Sequence, residues 1–374
     1  MNETNARQQQ GQIIAQSDGS VRRINELTYS VISQSGNSNY EVHSTEIGWV
    51  CSRPDHKFRG VKCKHVWATE ISFALRKAVE IRRIEPIVNI QSCIYCKSVR
   101  IVKDGLRHNK RGDIQKFNCK DCSKYFTINI GFEKMKHNPQ GITTAMQLYF
   151  SGESLRNTAT SLKLIGMDVT HQTVYNWIEK YTNLMQKYLE KITPNVGDAW
   201  RRDELFLKVK GNLKYLYALM DDDTRFWIAQ EVLDTKNTAD INPLFKKGKE
   251  IAGKRPNTLI SDGARNILDA FKGEFFTISN PRTKHIRHVR WQGDHNNIKM
   301  ERLNGEVRDR EKVMRSLKIT TTPILPGYQL FHNYIRPHMA LKGKTPAEIC
   351  GIKIEGENKW KTIIENASKN QNHH

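Results

Sequence analysis

Thr258-Leu-Ile-Ser-Asp262-Gly-Ala and Asn296-Asn-Ile-Lys-Met-Glu301-Arg-Leu-Asn are the two stretches that decide the fold of this chain. The first is typical of a short apolar strand that ends in a carboxylate, and the second of the start of a long helix that carries a glutamate. A third acid, Asp203, shares strand parity with the apolar Leu205 and Leu207. A carboxylate in a buried register is costly unless something compensates it, and a metal ion is one such partner. We expect Asp203, Asp262 and Glu301 to meet in space and to hold divalent metal.

The segments around these acids predict a mixed sheet covered by helices. Three strands at 205–209, 213–220 and 226–232 are joined by turns at Lys210-Gly-Asn and Asp221-Asp-Asp-Thr. A helix at 238–252, a strand at 257–261, a helix at 264–271, short strands at 277–279 and 286–289 and a long helix at 296–317 follow. This is the element order of an RNase H-like α/β core with a mixed five-stranded sheet and flanking helices.

The three acids suit a two-metal site. Three oxygen donors can hold two Mg²⁺ or Mn²⁺ ions about 4 Å apart, an arrangement that serves in-line displacement at phosphorus. In the last helix, Met300, Leu303, Val307 and Met314 form an apolar stripe. Asn297, Glu301, Asn304 and Arg308 line a neighbouring polar stripe, from which Arg308 can hold a phosphate. Any one of these acids taken alone is better explained as a solvated turn or helix face, so the hypothesis depends on the trio.

The charge balance points to a polyanionic partner. Among 374 residues, 60 Lys and Arg stand against 39 Asp and Glu, a formal net charge of +21. Nucleic acid is the first candidate, and a solvated basic surface or a peripheral membrane protein is the alternative. No apolar run approaches the roughly 20 residues of a membrane-spanning helix. The Gln-rich segment 1–20 lacks the apolar region of a secretory signal, so we expect a disordered tail and a cytoplasmic, nucleoid-associated protein without membrane contact.

Two C-x-x-C pairs, Cys93/Cys96 and Cys119/Cys122, are separated by 22 residues. Each pair can form a tight knuckle, and the intervening segment can return as a strand pair at 99–102 and 113–118. This spacing predicts a zinc ribbon with one closed, structural Zn²⁺. From 97 to 124 the chain has nine Lys and Arg against three Asp. A DNA-contact module and a simple stabilising staple both fit this composition.

A second, weaker cysteine pattern precedes the ribbon. Cys51, Cys63 and His65 follow a predicted β-hairpin and stand before a helix, and this arrangement resembles a SWIM zinc module. Arg53 occupies the position of the second cysteine, and arginine cannot ligate zinc. His56 could serve as the fourth ligand. Zinc binding and a lost metal site both remain open here.

The segment 139–181 predicts a helix-turn-helix. Helices at 142–150, 154–162 and 170–181 are separated by Gly-containing turns, and Ser154 and Thr170 stand at N-cap positions. In the third helix the apolar side chains recur at helical spacing, at Val174, Trp177, Ile178 and Tyr181. His171, Gln172, Tyr175 and Asn176 then face outward near the helix N-terminus, where a recognition helix reads the major groove. An ordinary three-helix packing domain is the alternative.

Several of these motifs together resemble the DDE transposases of prokaryotic insertion sequences, of the archaeal type. The resemblance covers roughly residues 40–350. It rests on Trp200-x-x-Asp203-Glu, Ser261-Asp262-Gly, Asn297-x-x-x-Glu301-Arg-Leu-Asn and the tail Asn333-Tyr-Ile-Arg-Pro-His-Met-Ala-Leu. In such families the third acid follows the second after some 35 to 40 residues, and a basic residue follows seven later. Here 38 residues lie between Asp262 and Glu301, and Arg308 is seven further on.

The resemblance implies a protein that binds the terminal inverted repeats of its element, cleaves DNA and transfers the 3′ ends to target DNA. It implies double-stranded DNA partners, a homodimer or higher assembly, and phosphate contacts at His288 and Arg290. The multidomain α+β organisation expected is a disordered tail at 1–25, a SWIM-like module at 26–85, a zinc ribbon at 88–130, a helix-turn-helix domain at 138–192, an RNase H-like catalytic domain at 197–345 and a C-terminal tail at 346–374. A DNA-binding protein without chemistry is the main alternative, and a nuclease acting on RNA–DNA hybrids or Holliday junctions is a third.

Overall fold

The computed structural model describes residues 3–371, except 18–19, 25–26, 35–37, 46–47, 60, 78–80, 88–91, 94, 110–111, 128–129, 134, 263, 277–281, 288–297, 314–316 and 318–319. In the part of the chain that is described, none of the helices combines the length and the apolar character needed to cross a lipid bilayer.

The N-terminal module consists of a helix, a four-stranded antiparallel sheet and two further helices. In chain order these are α1 (Glu3–Gln16), β1 (Val21–Arg23), β2 (Thr28–Ile32), β3 (Asn39–Thr45), β4 (Gly48–Cys51), α2 (Pro54–Arg59) and α3 (Lys64–Lys77). The prediction of a disordered tail at 1–25 is wrong. Ile14 is buried in the core of this module, and α1 approaches α3 so closely that a Cβ on Gly11 would meet the side chain of Trp67. The apolar face of α1 is therefore covered by packing that the polar local composition does not reveal.

A short strand, β5 (Arg82–Ile84), leads to a three-stranded antiparallel sheet formed by β6 (Ile101–Asn109), β7 (Gly112–Cys119) and β8 (Tyr125–Thr127). The sequence predicted two strands here, and the structure adds the third. A register shift between Lys103 and Leu106 coincides with Gly105, whose φ is +71°. A left-handed backbone of this kind favours glycine, and it allows β6 to bend.

Three helices follow, α4 (Pro139–Ser151), α5 (Leu155–Leu164) and α6 (His171–Leu189). Ser154 and Thr170 cap α5 and α6 by accepting hydrogen bonds from the backbone N–H of Asn157 and Thr173. The apolar residues predicted to face inward on α6 are all buried, namely Val174, Trp177, Ile178 and Tyr181. The helices and both caps are confirmed, whereas their role as a DNA-reading unit stays a prediction.

A mixed five-stranded sheet forms the next layer. Its elements are β9 (Ala199–Val209), β10 (Asn212–Asp221), β11 (Trp227–Leu233), α7 (Thr238–Ala252), β12 (Thr258–Ser261), α8 (Arg265–Glu274), β13 (Lys284–Arg287) and α9 (Ile298–Val313). The strand order is β11-β10-β9-β12-β13. β9, β10 and β11 are antiparallel neighbours, and β12 is parallel to both β9 and β13. The mixed five-stranded sheet expected from the sequence is confirmed. The strand predicted at 277–279 lies outside the described residues.

The C-terminal segment is folded. It contains α10 (Ile324–Leu330), a π-helical turn (Phe331–Ile335), a 3₁₀ turn (Met339–Leu341), α11 (Pro346–Ile349), β14 (Ile352–Ile354) and α12 (Lys359–Gln371). The prediction of a tail at 346–374 is wrong. β14 pairs in parallel with β5, and Trp360 of α12 is only 3% exposed and stacks on Phe150 of α4. The chain end thus closes the core between the three helices and the sheet.

Candidate active site and metal-ligating clusters

The sheet brings Asp203 and Asp262 together. β12 pairs with β9 only along 258–260, opposite 199–201. Beyond that point, no strand of the described residues pairs with this side of β9, and we call it the open edge. Asp262 lies immediately beyond β12, beside this open edge. Carboxylate oxygens of Asp203, Glu204 and Asp262 lie within 4.8 Å of one another. The carboxyl end of a sheet strand is where α/β proteins commonly build their sites.

Asp203 is a half-buried carboxylate with neutral partners. It accepts hydrogen bonds from the backbone N–H of Glu204, at 3.0 Å, and from Nδ2 of Asn304, at 2.9 Å. In the described part of the chain, no lysine or arginine forms an ion pair with it. Burial raises the pKa of Asp203 to about 6. The ionised form is therefore poorly compensated by the protein and would be stabilised by a bound cation.

Glu204 is compensated by cations, although it is the next residue along the chain. It receives ion pairs from Arg202, at 2.7 Å, and from Lys236, at 2.8 Å. Burial alone would raise its pKa, but these two cations outweigh burial and lower it. Arg202 is 1% exposed, lies over the ring of Tyr217 and approaches Asp262 to 3.8 Å. Glu204 thus forms an ion-paired cluster with Arg202 and Lys236, whereas Asp203 remains a candidate metal ligand.

Sequence reasoning missed Glu204. Strand alternation sends residues 203 and 204 to opposite faces of a sheet, so the pattern offered no reason to group them. The structure nevertheless brings a carboxylate oxygen of each residue within 4.8 Å of the other. The sequence does contain one indication of Glu204, since Arg202-Asp203-Glu204 places two carboxylates and a cation within three consecutive residues.

Glu301 lies in the first turn of α9 and is exposed. It is outside the group of carboxylates whose oxygens lie within 4.8 Å of one another. The same helix nevertheless contacts the site, because Asn304, one turn further on, donates to Asp203. Met300, Leu303 and Val307 are buried, which confirms the predicted apolar stripe in the described residues. Glu301 precedes Asn304 and Arg308 follows it on the same polar flank of α9, and Arg308 is exposed. The structure therefore joins two of the three predicted acids and places the third one helical turn from a site contact.

The turn predicted at Asp221-Asp-Asp-Thr is present, but two of its acids are buried. Asp221 is 0% exposed and Asp222 is 1% exposed. Asp222 pairs with Arg201 of β9 and, at 3.0 Å, with Lys299 of α9. Burial acts to raise the pKa of Asp222, and the two cations lower it. The acidic turn is thus an ion-paired joint between a strand and a helix.

The four cysteines of the ribbon lie together. Their Sγ atoms are all within 4.8 Å of one another, with 3.6 Å between Cys93 and Cys122 and 3.4 Å between Cys96 and Cys119. A tetrahedral zinc with Zn–S bonds of about 2.3 Å sets its sulfurs about 3.8 Å apart, whereas a disulfide joins them at about 2.0 Å. The distances and the donor set fit a closed zinc site.

The N-terminal module brings three potential ligands together. Cys51, Cys63 and His65 are buried, and one ligand atom from each lies within 4.8 Å of the others. In the described residues Nε2 of His65 has no hydrogen-bond partner. His56 lies elsewhere, because its Nδ1 faces the carbonyl of Val61 at 2.9 Å. The structure therefore offers three ligands here, and His56 does not join them.

The outward face of α6 is as the sequence predicts. His171, Gln172 and Asn176 are exposed and Tyr175 is partly exposed. Gln172 donates to the side-chain carbonyl of Asn176 at 2.9 Å. The phosphate contacts expected at His288 and Arg290 lie outside the described residues.

Similar proteins are found among insertion-sequence transposases. Residues 197–338 match a protein family described as a DDE domain. The chain is 28% identical over 149 residues to the transposase for insertion sequence-like element IS431mec of Staphylococcus aureus. The same figures hold for the transposase of insertion sequence element IS257 in transposon Tn4003. Each match covers 38% of this chain and 66% of the staphylococcal protein, so the chain spans just under two thirds of those relatives.

A third relative is shorter. The insertion element iso-IS1N protein InsA of Shigella dysenteriae is 33% identical over 89 residues, which are 24% of this chain and 91% of that protein. Among solved structures, the magnesium complex of the HTLV-2 integrase catalytic core domain, in its trimeric form, aligns with a TM-score of 0.32 and 16% identity. That alignment covers 42% of this chain and 98% of the integrase domain. Likeness at this TM-score carries no functional information.

The domain match covers the strand with Asp203, the end of β12 with Asp262 and the helix with Glu301, and the sequence relatives are encoded by mobile elements. The chain therefore belongs to the proteins of insertion elements, and its residues 197–338 form a DDE domain similar to that of insertion-sequence transposases.

Proposed function

We propose that this protein cleaves DNA at the ends of an insertion sequence and transfers the 3′ ends to target DNA. The observation that carries the proposal is the pair Asp203 and Asp262 at the open edge of β9. There, a half-buried carboxylate has neutral partners and a raised pKa beside a second carboxylate. The net charge of +21 supports a nucleic-acid substrate.

The donor set of this site fits a hard divalent cation. Asp203 and Asp262 supply oxygen ligands of the kind that Mg²⁺ and Mn²⁺ prefer, and Glu301 would complete the set from α9. When bound, two such ions would activate a water or a DNA 3′-hydroxyl and stabilise the leaving oxygen.

The protein's own residues would orient the ligands and the DNA. Asn304 holds one oxygen of Asp203, and Arg202 holds Glu204 while facing Asp262. Arg308 is exposed on α9, where a guanidinium can bind a backbone phosphate in bidentate fashion. His171, Gln172, Tyr175 and Asn176 of α6 would read the terminal repeat. The cationic ribbon would add sequence-independent contacts to phosphate, and two or more copies of the chain would hold the two element ends.

Structural zinc belongs to the same proposal. Cys93, Cys96, Cys119 and Cys122 would hold one Zn²⁺ that fixes the ribbon. Cys51, Cys63 and His65 would hold a second, and Arg53 leaves that site one cysteine short of the SWIM pattern.

A DNA-binding protein without chemistry is the second candidate. The observation that favours it is the exposure of Glu301, which lies outside the carboxylate group. The two functions differ in whether Glu301 acts with the two aspartates.

The test is a cleavage and strand-transfer assay with Mg²⁺ and DNA that carries the inverted repeats flanking the gene. We expect Asp203→Asn, Asp262→Asn and Glu301→Gln each to abolish both reactions, since removal of a catalytic group commonly lowers the rate more than about 10³-fold. Each variant should bind end DNA with an affinity within about twofold of wild type. Asp309→Asn, which removes an exposed carboxylate from the same helix, is the matched control and should retain the rate. Wild-type binding to end DNA without Mg²⁺-dependent cleavage would establish the second candidate instead.

A further inference from the structure

We infer that Lys299 and Asp222 are positioning residues that fix the rotation of α9 about its own axis, and thereby the place of Glu301 at the site. The expected effect on the cleavage rate rests on the proposed function. The expected effect on the position of α9 rests on the contacts of the structure alone. The Asp222–Lys299 contact lies at the N-terminal end of α9, two residues from Glu301.

Asp222 connects the strand of one candidate ligand to the helix of another. Its backbone N–H donates to the carbonyl of Ala199 in β9, at 2.8 Å, and its carboxylate pairs with Arg201, two residues before Asp203. The Nζ of Lys299 donates to the carboxylate of Asp222 at 3.0 Å and to its carbonyl at 2.9 Å. Lys299 is therefore held by two oxygens of one residue that is itself fixed to β9.

The contact is protected from water. The side chain of Asp222 is 1% exposed, that of Arg201 5% and that of Lys299 13%. Exposed ion pairs contribute little because solvent screens them, whereas removing one partner of a buried pair leaves an uncompensated charge. The joint therefore has the burial needed to act as a mechanical constraint.

A second contact holds the opposite flank of the helix. Asn304 donates to Asp203 at 2.9 Å. At about 100° per residue, Lys299 and Asn304 project about 140° apart around the axis, on either side of the buried stripe. In the N-terminal half of α9, one contact alone permits the helix to twist about the apolar stripe, and two contacts on opposite flanks prevent it. Further along, Glu306 pairs with Arg336 and Arg310 contacts the carbonyl of Tyr149, so the C-terminal half of α9 has its own anchors.

Among the described residues Glu301 has no such anchor, and it is exposed in the turn between these two contacts. At a side-chain radius of about 5–6 Å, a roll of about 20° would move its carboxylate by about 2 Å. A misplacement of about 1 Å can lower a rate about 10²-fold. Loss of the Lys299 contact should therefore affect the reaction far more than it affects the binding of DNA.

The first experiment compares Lys299→Met, Lys299→Arg and the matched control Lys312→Met in the full-length chain. Lys312 is on the same helix and pairs with Asp309 at the surface, where both side chains are about three-quarters exposed. Lys299→Met should lower the Mg²⁺-dependent cleavage rate about 100-fold and raise the Mg²⁺ concentration for half-maximal rate about tenfold. Lys299→Arg should restore the rate to within about fivefold of wild type, Lys312→Met to within about twofold, and all three variants should bind end DNA with unchanged affinity.

The second experiment needs no activity. Hydrogen–deuterium exchange of the N-terminal half of α9 should be at least about tenfold faster in Lys299→Met than in wild type, and unchanged in Lys312→Met. If wild type shows no Mg²⁺-dependent cleavage, the proposed function fails, and this exchange result alone decides the role of Lys299. If Lys299→Met does not fold, Asp222→Asn, which keeps the shape of the side chain, carries the same expectations. Unchanged exchange, or a loss of rate matched by an equal loss of DNA affinity, would overturn the inference.

Discussion

The negative charge on Asp203 should destabilise the metal-free protein, so Asp203→Asn should raise its free energy of unfolding. Burial raises the pKa of Asp203 from 3.8 to about 6. Because a tenfold change in proton affinity corresponds to about 1.4 kcal/mol, folding costs the ionised carboxylate up to about 3 kcal/mol. The amide of Asn304 can rotate to present its oxygen to the new Nδ2, so the substitution keeps both hydrogen bonds.

The effect should depend on pH in a defined direction. The folded-state pKa lies above the unfolded value, so the cost is absent below the unfolded pKa of 3.8, grows between 3.8 and about 6, and is fully present above that. Asp203→Asn should therefore leave stability unchanged near pH 3.5 and raise it above pH 6. At about 2–4 °C per kcal/mol for a domain of this size, a cost of about 3 kcal/mol corresponds to a rise in Tm at pH 8 of up to roughly 6–12 °C.

The assay is thermal unfolding in buffers freed of divalent metal by passage over resin, since a soluble chelator would also remove zinc. Glu204→Gln is the matched control, because it removes the adjacent carboxylate, whose pKa is lowered by Arg202 and Lys236 despite burial. It should destabilise the protein at pH 8, the opposite sign. At pH 8 the Tm should fall in Glu204→Gln. If it also falls in Asp203→Asn, the argument that the ionised Asp203 is uncompensated in the metal-free protein is refuted.

Three further outcomes are expected. Trp360→Ala should lower the free energy of unfolding by about 3–5 kcal/mol, because an aromatic ring that is only 3% exposed is lost from the core. Urea unfolding measures this loss, and a value below about 1 kcal/mol would contradict the packing of the C-terminal segment. Cys119→Ser should remove one zinc ion per chain in native mass spectrometry, with Cys350→Ser, a buried cysteine far from the ribbon in sequence, as the control that retains it; equal zinc content in the two variants would exclude the four-cysteine site. Gln172→Ala and Asn176→Ala should each weaken binding to end DNA by about 1–3 kcal/mol and spare unrelated duplex, as measured by fluorescence anisotropy; equal losses on both DNAs would show that α6 does not read sequence.

The sequence by itself determined the elements whose information is local. Periodicity and capping residues located α5 and α6, because Ser154 and Thr170 satisfy backbone donors only a few residues away. The alternating and apolar runs gave the strands of the five-stranded sheet. The C-x-x-C spacing gave the four-cysteine cluster, since the chemistry of a knuckle lies within four residues. The spacing of the three acids was sufficient to indicate the family.

Tertiary structure decided everything that depends on partners distant in the chain. Asp203 and Glu204 are adjacent carboxylates, and they differ only in their tertiary contacts. Lys236 forms an ion pair with Glu204, whereas Asn304 donates a neutral hydrogen bond to Asp203. The sequence around Asp222 is typical of a solvated turn, and only the fold brings Lys299 to it from 77 residues away. The folded ends, at α1 and α12, have polar sequences whose few apolar side chains become informative only when α3 and α4 cover them. Hydrophobic burial and charge compensation act between surfaces that the fold brings together, so a linear pattern cannot assign them.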